Sequence, residues 1–174
     1  MNIILTGFKS CGKSTVGPLL AKRMNLAFID TDSILEENFF QRFGLKYTCR
    51  QIYEEKGAAT MRVLETECLA ALAGAKGYVI ATGGGILLQP ENIALLKKVG
   101  LCVFLDVPLE LIERRLAGQK SPLFTQKSVA EVFAERYPLY KDTADIHYAV
   151  GLAENPGQIS KKIFTTLAGK KYGQ

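Results

Sequence analysis

The stretch that decides the fold is residues 7–15, which read Gly7-Phe8-Lys9-Ser10-Cys11-Gly12-Lys13-Ser14-Thr15. A glycine, four residues and then Gly-Lys-Ser make up the phosphate-loop pattern. The apolar residues 2–6 before it predict a buried strand, and residues 16–24 after it predict a helix. Because phosphate loops join a strand to a helix in this order, the context favours a true phosphate loop over a chance glycine-rich turn.

This loop predicts a binding site for a nucleoside triphosphate. Gly7 and Gly12 allow a tight turn, so that consecutive backbone N–H groups point at one phosphate beside the positive end of a helix. Lys13 is expected to reach the outer phosphates as a point charge, and the Ser14 hydroxyl is expected to face Mg²⁺.

Composition indicates one globular domain that binds small anions. The chain has 174 residues, of which 48% are hydrophobic and 22% charged, and this suits a single domain with a sizeable core. The formal net charge is +5, but Lys and Arg are scattered and do not interleave with aromatic residues. We therefore expect phosphates and a carboxylate as partners, and no nucleic acid. With no signal-peptide pattern and no long apolar run, we expect a cytoplasmic protein that makes no membrane contact.

The four cysteines and the single histidine, His147, do not suggest a metal site. Cys11, Cys49, Cys68 and Cys102 contain no C-x-x-C pair, so free thiols in a reducing compartment are expected. Cys11 lies beside a predicted helix N-terminus, which lowers thiol pKa values, but a small residue that fits the loop is the favoured interpretation. We expect His147, in a late apolar strand, to be structural.

Strands and helices alternate along the whole chain. Further strands are predicted at residues 27–29, 78–82, 101–106 and 145–150. Helices are predicted at residues 33–43, 48–57, 58–73, 89–99, from Pro108 onward, at 128–137 and at 155–167. This alternation predicts an α/β fold, a three-layer sandwich with a parallel sheet. Residues 117–127 lack an apolar period and are predicted to be a mobile segment.

Two carboxylates follow the second predicted strand, at Asp30 and Asp32. Residues just beyond the carboxyl end of a parallel strand face the ligand crevice. One acid can hold a metal through its water shell, and the other can orient an alcohol or accept its proton. Asp30 or Thr31 can also cap the next helix, and the two roles are compatible.

A glycine triplet, Gly83, Gly84 and Gly85, follows the third long strand. Three glycines are unfavourable in backbone entropy, and they are useful where a ligand must touch the backbone. Arg62 and Glu65 lie three residues apart on a predicted helix and therefore share a face. Taken alone, this pair favours an ordinary surface ion pair.

These motifs, with Arg136-Tyr137-Pro138-Leu139-Tyr140, together resemble the shikimate kinase family of phosphate-loop enzymes over roughly residues 2–157. The loop alone is unspecific, whereas the acid pair, the Arg-x-x-Glu, the glycine triplet and the late arginine are far more specific. The resemblance implies a five-stranded parallel sheet with flanking helices. It also implies a single domain spanning residues 1–174, with a substrate-binding region at about 31–62 and a lid at about 117–127.

The resemblance implies ATP and Mg²⁺ as cofactors and shikimate as the substrate. The implied reaction moves the ATP γ-phosphoryl group to the 3-hydroxyl of shikimate, on the way to chorismate and the aromatic amino acids. Residues implied to bind ATP are Ser10, Cys11, Gly12, Lys13, Ser14 and Thr15, with Arg114 and Pro156 around the adenine and Arg115 as an alternative to Arg114. Ser14 and Asp30 would serve Mg²⁺.

On the acceptor side, the resemblance implies that Asp32 binds the shikimate hydroxyls and is the candidate base. Arg62 and Arg136 would clamp the carboxylate, a role that suits the planar guanidinium fork. Glu65 would orient Arg62 or a hydroxyl, and Gly83, Gly84 and Gly85 would let the backbone approach the ring. The resemblance thus reverses the preference for a mere ion pair at Arg62.

Two departures from the family pattern stand out. Met61 replaces the phenylalanine that usually precedes the Arg-x-x-Glu, which is a mild packing change. In the lid, the family's Arg-Pro-Leu-Leu is Ser121-Pro122-Leu123-Phe124, so the arginine that reaches the transferring phosphate is absent. Since such an arginine can be worth ~10³–10⁵ in rate, we expect Lys120 to supply the charge as a catalytic residue, the alternative being a slower enzyme.

Two other functions remain open at this stage. One is another kinase of the same fold, acting on gluconate or a nucleoside monophosphate; the Arg-x-x-Glu and the glycine triplet favour shikimate. The other is a nucleotide-dependent binding module without catalysis, against which the presence of both Asp30 and Asp32 argues. With no heptad seam and no exposed apolar stripe, a monomer is expected.

Overall fold

The computed structural model describes residues 1–119 and 121–169. Within them, five strands form one sheet in the order β2-β3-β1-β4-β5. The strands are Ile3–Thr6 (β1), Ala27–Asp30 (β2), Tyr78–Ala81 (β3), Leu101–Asp106 (β4) and Ile146–Ala149 (β5). All four neighbouring pairs are parallel, so the carboxyl ends of the strands share one edge. The predicted α/β fold with a five-stranded parallel sheet is confirmed.

Helices flank this sheet. The α-helices of the described residues are Lys13–Met24 (α1), Thr31–Phe43 (α2), Cys49–Leu72 (α3), Pro90–Val99 (α4), Leu109–Leu116 (α5), Val129–Thr143 (α6) and Pro156–Gly169 (α7). Short 3-10 helices lie at Ile86–Leu88 and Pro122–Phe124. None of the helices found in these residues has both the length and the apolar character needed to cross a membrane.

Two hydrophobic clusters hold the described residues together. The larger one surrounds β1, whose four residues are all buried, as expected for a central parallel strand covered on both faces. The smaller one joins α2 to α3 through Leu35, Phe39, Ile52, Met61 and Leu64. Gly57 breaks α3 with a non-helical φ of 82°, so the break predicted near this residue is present. The part of α3 before Gly57 packs with α2 in the smaller cluster.

Several helix boundaries differ from the sequence prediction, among them the start of α1, which is Lys13 and not residue 16. α2 begins at Thr31, two residues early, because the Asp30 carboxylate accepts a hydrogen bond from the Asp32 N–H at 3.1 Å and caps the helix. α6 does not end near Tyr137 but continues through Pro138 to Thr143. The proline removes one backbone hydrogen bond, but the buried Tyr140 two residues later donates to the Gly84 carbonyl. That tertiary contact keeps the helix continuous.

A buried asparagine joins the segments around the start of β1. Asn2 is 0% exposed, and its amide donates to the carbonyls of Ala75 at 2.7 Å and Val99 at 2.9 Å. Its carbonyl oxygen accepts from the Tyr78 N–H at 3.1 Å. One side chain thus satisfies three backbone groups that belong to three different segments.

We predict that Asn2→Ala lowers the free energy of unfolding by about 2–4 kcal/mol, because three buried backbone groups lose their partner. Urea unfolding followed by circular dichroism measures this as a lower midpoint with an unchanged slope. The matched control is Asn38→Ala, at an exposed position of α2, where a change within about 0.5 kcal/mol is expected. Equal effects of the two substitutions would contradict the role given to Asn2.

Candidate active site

Two cavities lie on either side of the phosphate loop at the carboxyl edge of the sheet. The central cavity, of about 250 Å³, is lined by Lys9, Lys13 and Ser14 together with the acidic, arginine and glycine positions singled out from the sequence. The loop cavity, of about 310 Å³, is lined by residues 10–16 with Arg115, Glu154, Pro156 and Ile159. Ser10, Lys13 and Ser14 line both. A loop that faces two cavities can hold one phosphate chain between a nucleotide and a second substrate.

The phosphate loop has the strained backbone that its glycines predict. Gly7 has a φ of 143° and Gly12 a φ of 106°, both in the region that favours glycine. A Cβ on Gly7 would stand 2.9 Å from the carbonyl oxygen of Leu105, so a side chain there is excluded by space as well. α1 starts at Lys13, which leaves the first N–H groups of the helix pointing into the loop.

Lys13 folds back over the loop. It is 8% exposed, and its ammonium donates to the carbonyls of Gly7 at 2.9 Å and Phe8 at 3.0 Å. A third contact runs from the ammonium to the Cys11 sulfur at 3.4 Å. Cys11 is a buried, unoxidised thiol, and its sulfur would be 2.9 Å from a Cβ on Gly7. Its small side chain therefore fits the loop, in line with the favoured interpretation.

Ser14 and Asp30 form a pair of oxygen donors beside Lys13. The Ser14 hydroxyl donates to the second oxygen of the Asp30 carboxylate at 2.6 Å, while the first oxygen caps α2. A hydroxyl and one carboxylate are the donors that Mg²⁺ uses when waters and substrate phosphates complete its shell. The described residues contain no group of three or more His, Cys, Asp or Glu side chains that could hold a metal by themselves. This donor set therefore fits Mg²⁺ bound together with a nucleotide.

Asp32 lies in the first turn of α2 and faces the central cavity. Burial raises the pKa of its carboxyl group above the ordinary value, and the neighbouring Asp30 carboxylate raises it further. The positive charges of Lys13 and Lys9 oppose this rise. A carboxylate with a raised pKa is a stronger base, which suits a group that accepts a proton from an alcohol.

The glycine triplet allows three side chains to approach the end of β3. A Cβ on Gly83 would stand 2.7 Å from an Asp32 carboxylate oxygen, and a Cβ on Gly85 would stand 2.2 Å from the Arg62 guanidinium. The Gly84 carbonyl accepts from the Arg136 guanidinium at 3.0 Å. The triplet is thus a platform for the protein's own site residues.

Arg62 and Glu65 form an ion pair within the central cavity. Their side chains are only 13% and 5% exposed, so this is not the surface pair that the spacing alone favours. Burial raises the pKa of Glu65, and the Arg62 charge opposes that rise. Arg136, 7% exposed, lines the same cavity. Two arginines against one paired glutamate leave a positive surface that can bind a carboxylate.

One of the residues predicted to surround the adenine differs in the structure. Pro156 and Thr15 line the loop cavity as predicted residues of the nucleotide site, but the side chain at its wall is Arg115. Arg115 donates to the Ser10 carbonyl at 2.9 Å. Arg114 is exposed and lies outside the lining of both cavities, because consecutive helical residues point about 100° apart. The structure therefore brings the open alternative, and not Arg114, to this site.

Ser121, Pro122 and Leu123, which belong to the segment predicted to be a lid, line the central cavity. Lys120 lies outside the described residues. Ser121 accepts a hydrogen bond from the Leu123 N–H at 3.4 Å and caps the 3-10 helix that follows. The ring of Phe124 packs on Phe8 of the phosphate loop, with ring centroids 6.3 Å apart.

Sequence reasoning gave no role to several residues near these cavities. Lys9, Cys49 and Tyr53 line the central cavity, and Tyr140 supports Gly84. Spacing could have indicated Tyr140, since it lies four residues after Arg136 on the same helix face. Burial raises the pKa of Cys49, with the nearby Asp32 and Glu36 carboxylates adding to the rise, and this disfavours the reactive thiolate form.

His147 lies outside the lining of both cavities. Its ring stacks on Phe104 at 5.1 Å and contacts the Asp106 carboxylate at 2.6 Å. Tyr137 donates to the same carboxylate at 2.9 Å. This network ties β4 and β5 to α6, which fits the structural role expected for the histidine.

The fold and the site define a phosphate-loop kinase with a small-molecule acceptor. The family model for shikimate kinase matches residues 9–168. A shikimate kinase from Geobacter sulfurreducens is 42% identical over 134 residues, which are 76% of this chain and 71% of that protein. One from Sulfurihydrogenibium sp. is 37% identical over 169 residues, 95% of this chain and 97% of that protein.

Solved structures give the same result. A shikimate kinase from Acinetobacter baumannii in complex with shikimate superposes with a TM-score of 0.85 at 30% identity, over 98% of this chain and 94% of that one. One from Aquifex aeolicus gives a TM-score of 0.81 at 35% identity over both full chains. The chain therefore belongs to the shikimate kinase family, whose members are ATP-dependent kinases. The resemblance noted in the sequence is confirmed.

The raised pKa of Asp32 predicts a pH-dependent gain in stability on its removal. A carboxyl group whose pKa is raised by folding stabilises the folded state at low pH and loses that contribution as pH rises through the raised value. We expect Asp32→Asn to increase the free energy of unfolding at pH 7 by roughly 0.5–2 kcal/mol, with the difference shrinking as pH falls toward the ordinary aspartate value of 3.8.

Chemical denaturation at a series of pH values between 7 and 4 measures this difference. Asp142→Asn, at an exposed position of α6, is the control and should give a small difference that does not vary over this range. A loss of stability in Asp32→Asn at pH 7 would mean that contacts of the carboxylate outweigh its desolvation.

Proposed function

We propose that this kinase transfers the γ-phosphoryl group of ATP to the 3-hydroxyl of shikimate, giving ADP and shikimate 3-phosphate. The observation that carries the proposal is the content of the central cavity. Asp32, Arg62 and Arg136 face the same space as Lys13 and Ser14 of the phosphate loop. A base, a carboxylate clamp and a phosphate cradle are the groups that such a transfer needs.

The loop cavity is proposed to hold the nucleotide. The N–H groups of residues 10–15 surround the phosphates, and the Lys13 ammonium exchanges the carbonyls of Gly7 and Phe8 for phosphate oxygens. Arg115 and Pro156 lie on either side of the adenine, with Arg115 taking the role that the sequence gave to Arg114. Ser14 and Asp30 would hold Mg²⁺. When bound, the metal neutralises charge on the outer phosphates.

The central cavity is proposed to hold shikimate. Arg62, positioned by Glu65 and by its contact with Gly85, and Arg136, positioned by the Gly84 carbonyl, bind the carboxylate as two guanidinium forks. Asp32 binds the hydroxyls and accepts the proton of the attacking one, for which its raised pKa is suited. Gly83, Gly84 and Gly85 have no side chains, so the backbone can approach the shikimate ring closely.

The remaining assignments complete the proposal. Residues 31–62 form the substrate-binding region of a single domain, and residues 117–127 form a lid that excludes water during transfer. Lys120 brings a positive charge to the transferring phosphate when the lid closes. The protein works as a monomer in the cytoplasm.

ADP release in the presence of ATP and Mg²⁺ tests the acceptor. The assay is run with shikimate, gluconate, a nucleoside monophosphate or no acceptor, and we expect release only with shikimate. Arg62→Lys keeps the charge but removes the fork, so it should raise the KM for shikimate and leave the affinity for ADP unchanged.

Three other results would contradict the proposal. Release with gluconate or a nucleotide would assign the central cavity to another acceptor. Release without any acceptor would describe a hydrolase, and no release from folded protein that binds ATP would describe a binding module.

A further inference from the structure

The lid of this protein lacks a charge at the position where its family places an arginine. Ser121 occupies that position and lines the central cavity. Its hydroxyl already accepts a hydrogen bond from the Leu123 N–H, so it serves the local turn. A transferring phosphoryl group carries charge on its equatorial oxygens. Any further side-chain charge for that group has to come from a position other than 121.

Lys9 is a positively charged residue of the described part of the chain, and it lies at the central cavity, within the phosphate loop. It is the second residue after Gly7 in the phosphate loop, is half-buried and lines the central cavity together with Asp32 and Ser121. Its ammonium makes no hydrogen bond or ion pair to any residue within 1–119 or 121–169. Its positive charge lowers the pKa of Asp32 against the effect of burial, so the two side chains interact across the cavity.

The backbone at Lys9 is fixed from two sides. A Cβ on Gly84 would stand only 3.3 Å from the Lys9 backbone nitrogen, so the glycine triplet lies directly against this part of the loop. On the other side, the ring of Phe8 packs on Phe133 at 5.3 Å and on Phe124 of the lid. The side chain of Lys9 therefore starts from an anchored position between loop, lid and triplet.

We propose that Lys9 is a catalytic residue of this kinase, which contacts the γ-phosphoryl group of ATP from the phosphate loop and supplies charge that Ser121 lacks. This inference rests on the proposed function.

Two observations favour the γ-phosphoryl group over the acceptor carboxylate as the partner of Lys9. The carboxylate already has Arg62 and Arg136 in the same cavity. Lys9 instead belongs to the loop whose N–H groups bind phosphate, on the side that faces the base Asp32. Transfer takes place between the loop and Asp32, so a cation there meets the phosphoryl group as it moves.

Lys9→Met tests the inference, because methionine keeps a long unbranched side chain and removes the charge. Calorimetry measures the binding of ADP and of a non-hydrolysable ATP analogue with a β,γ-methylene bridge, each with Mg²⁺. We expect the affinity for the analogue to fall about tenfold and the affinity for ADP to change less than about twofold, since only the analogue carries a γ-phosphoryl group. In the assay with shikimate, kcat should fall by about 10²–10³, as for loss of one preorganised donor, with a nearly constant KM for shikimate.

Four further variants sharpen the test. Lys98→Met, at an exposed position of α4 outside both cavities, should leave binding and kcat unchanged. Lys9→Arg should retain the preference for the analogue over ADP. Ser121→Arg added to Lys9→Met should restore kcat at least tenfold, because it returns a charge from the lid. Lys120→Ala in the same panel separates the contribution of the lid residue from that of Lys9.

Several outcomes would overturn the role of Lys9. Unchanged affinity for the analogue with a raised KM for shikimate would make Lys9 an acceptor-binding residue. An unchanged kcat in Lys9→Met, together with a large loss of kcat in Lys120→Ala, would mean that Lys120 and not Lys9 supplies the positive charge to the transferring phosphoryl group. If the unmodified enzyme fails to use shikimate, the proposed function fails, but the analogue and ADP measurements still decide whether Lys9 contacts the γ-phosphoryl group.

Discussion

This site depends on one constraint: the side chains of Asp32, Arg62 and Arg136 come close to the backbone of the glycine triplet, which carries no side chains. Gly83, Gly84 and Gly85 end β3, and a Cβ on the first or third would collide with Asp32 or Arg62. The carbonyl of the second binds Arg136 and Tyr140. Elements far apart in sequence, α2, α3 and α6, thus meet at one point because glycine leaves the space open.

The sheet brings this platform to the phosphate loop. β1 and β3 are parallel neighbours. At the carboxyl ends of these two strands, the Thr82 N–H donates to the Leu5 carbonyl at 3.1 Å. The loop that follows β1 and the triplet that follows β3 therefore lie side by side, with Lys9 against Gly84. The same packing that places Asp32 beside the phosphate loop also buries its carboxylate, which raises its pKa.

Local patterns in the sequence predict much of this arrangement. The phosphate loop and the parallel α/β fold follow from spacing and alternation along the chain, and the family was indicated by the resemblance of several short motifs. Contacts between distant segments were not predictable in this way. The phase of α5 decides that Arg115 and not Arg114 reaches the loop cavity, and Tyr140 decides that α6 continues past Pro138. The crowding at the triplet is also tertiary, since Asp32 and Arg62 lie directly against Gly83 and Gly85.

Gly85→Ala tests most directly the claim that the triplet positions the acceptor site. Gly85 has a φ of −104°, which alanine adopts freely, so the substitution changes only the space beside Arg62. The matched control is Gly74→Ala, where an added Cβ meets nothing within 4 Å. We predict that Gly85→Ala raises the KM for shikimate by roughly tenfold or more, with unchanged ADP affinity and thermal stability near that of the control. An unchanged KM would show that Arg62 does not need this space, and would contradict the account.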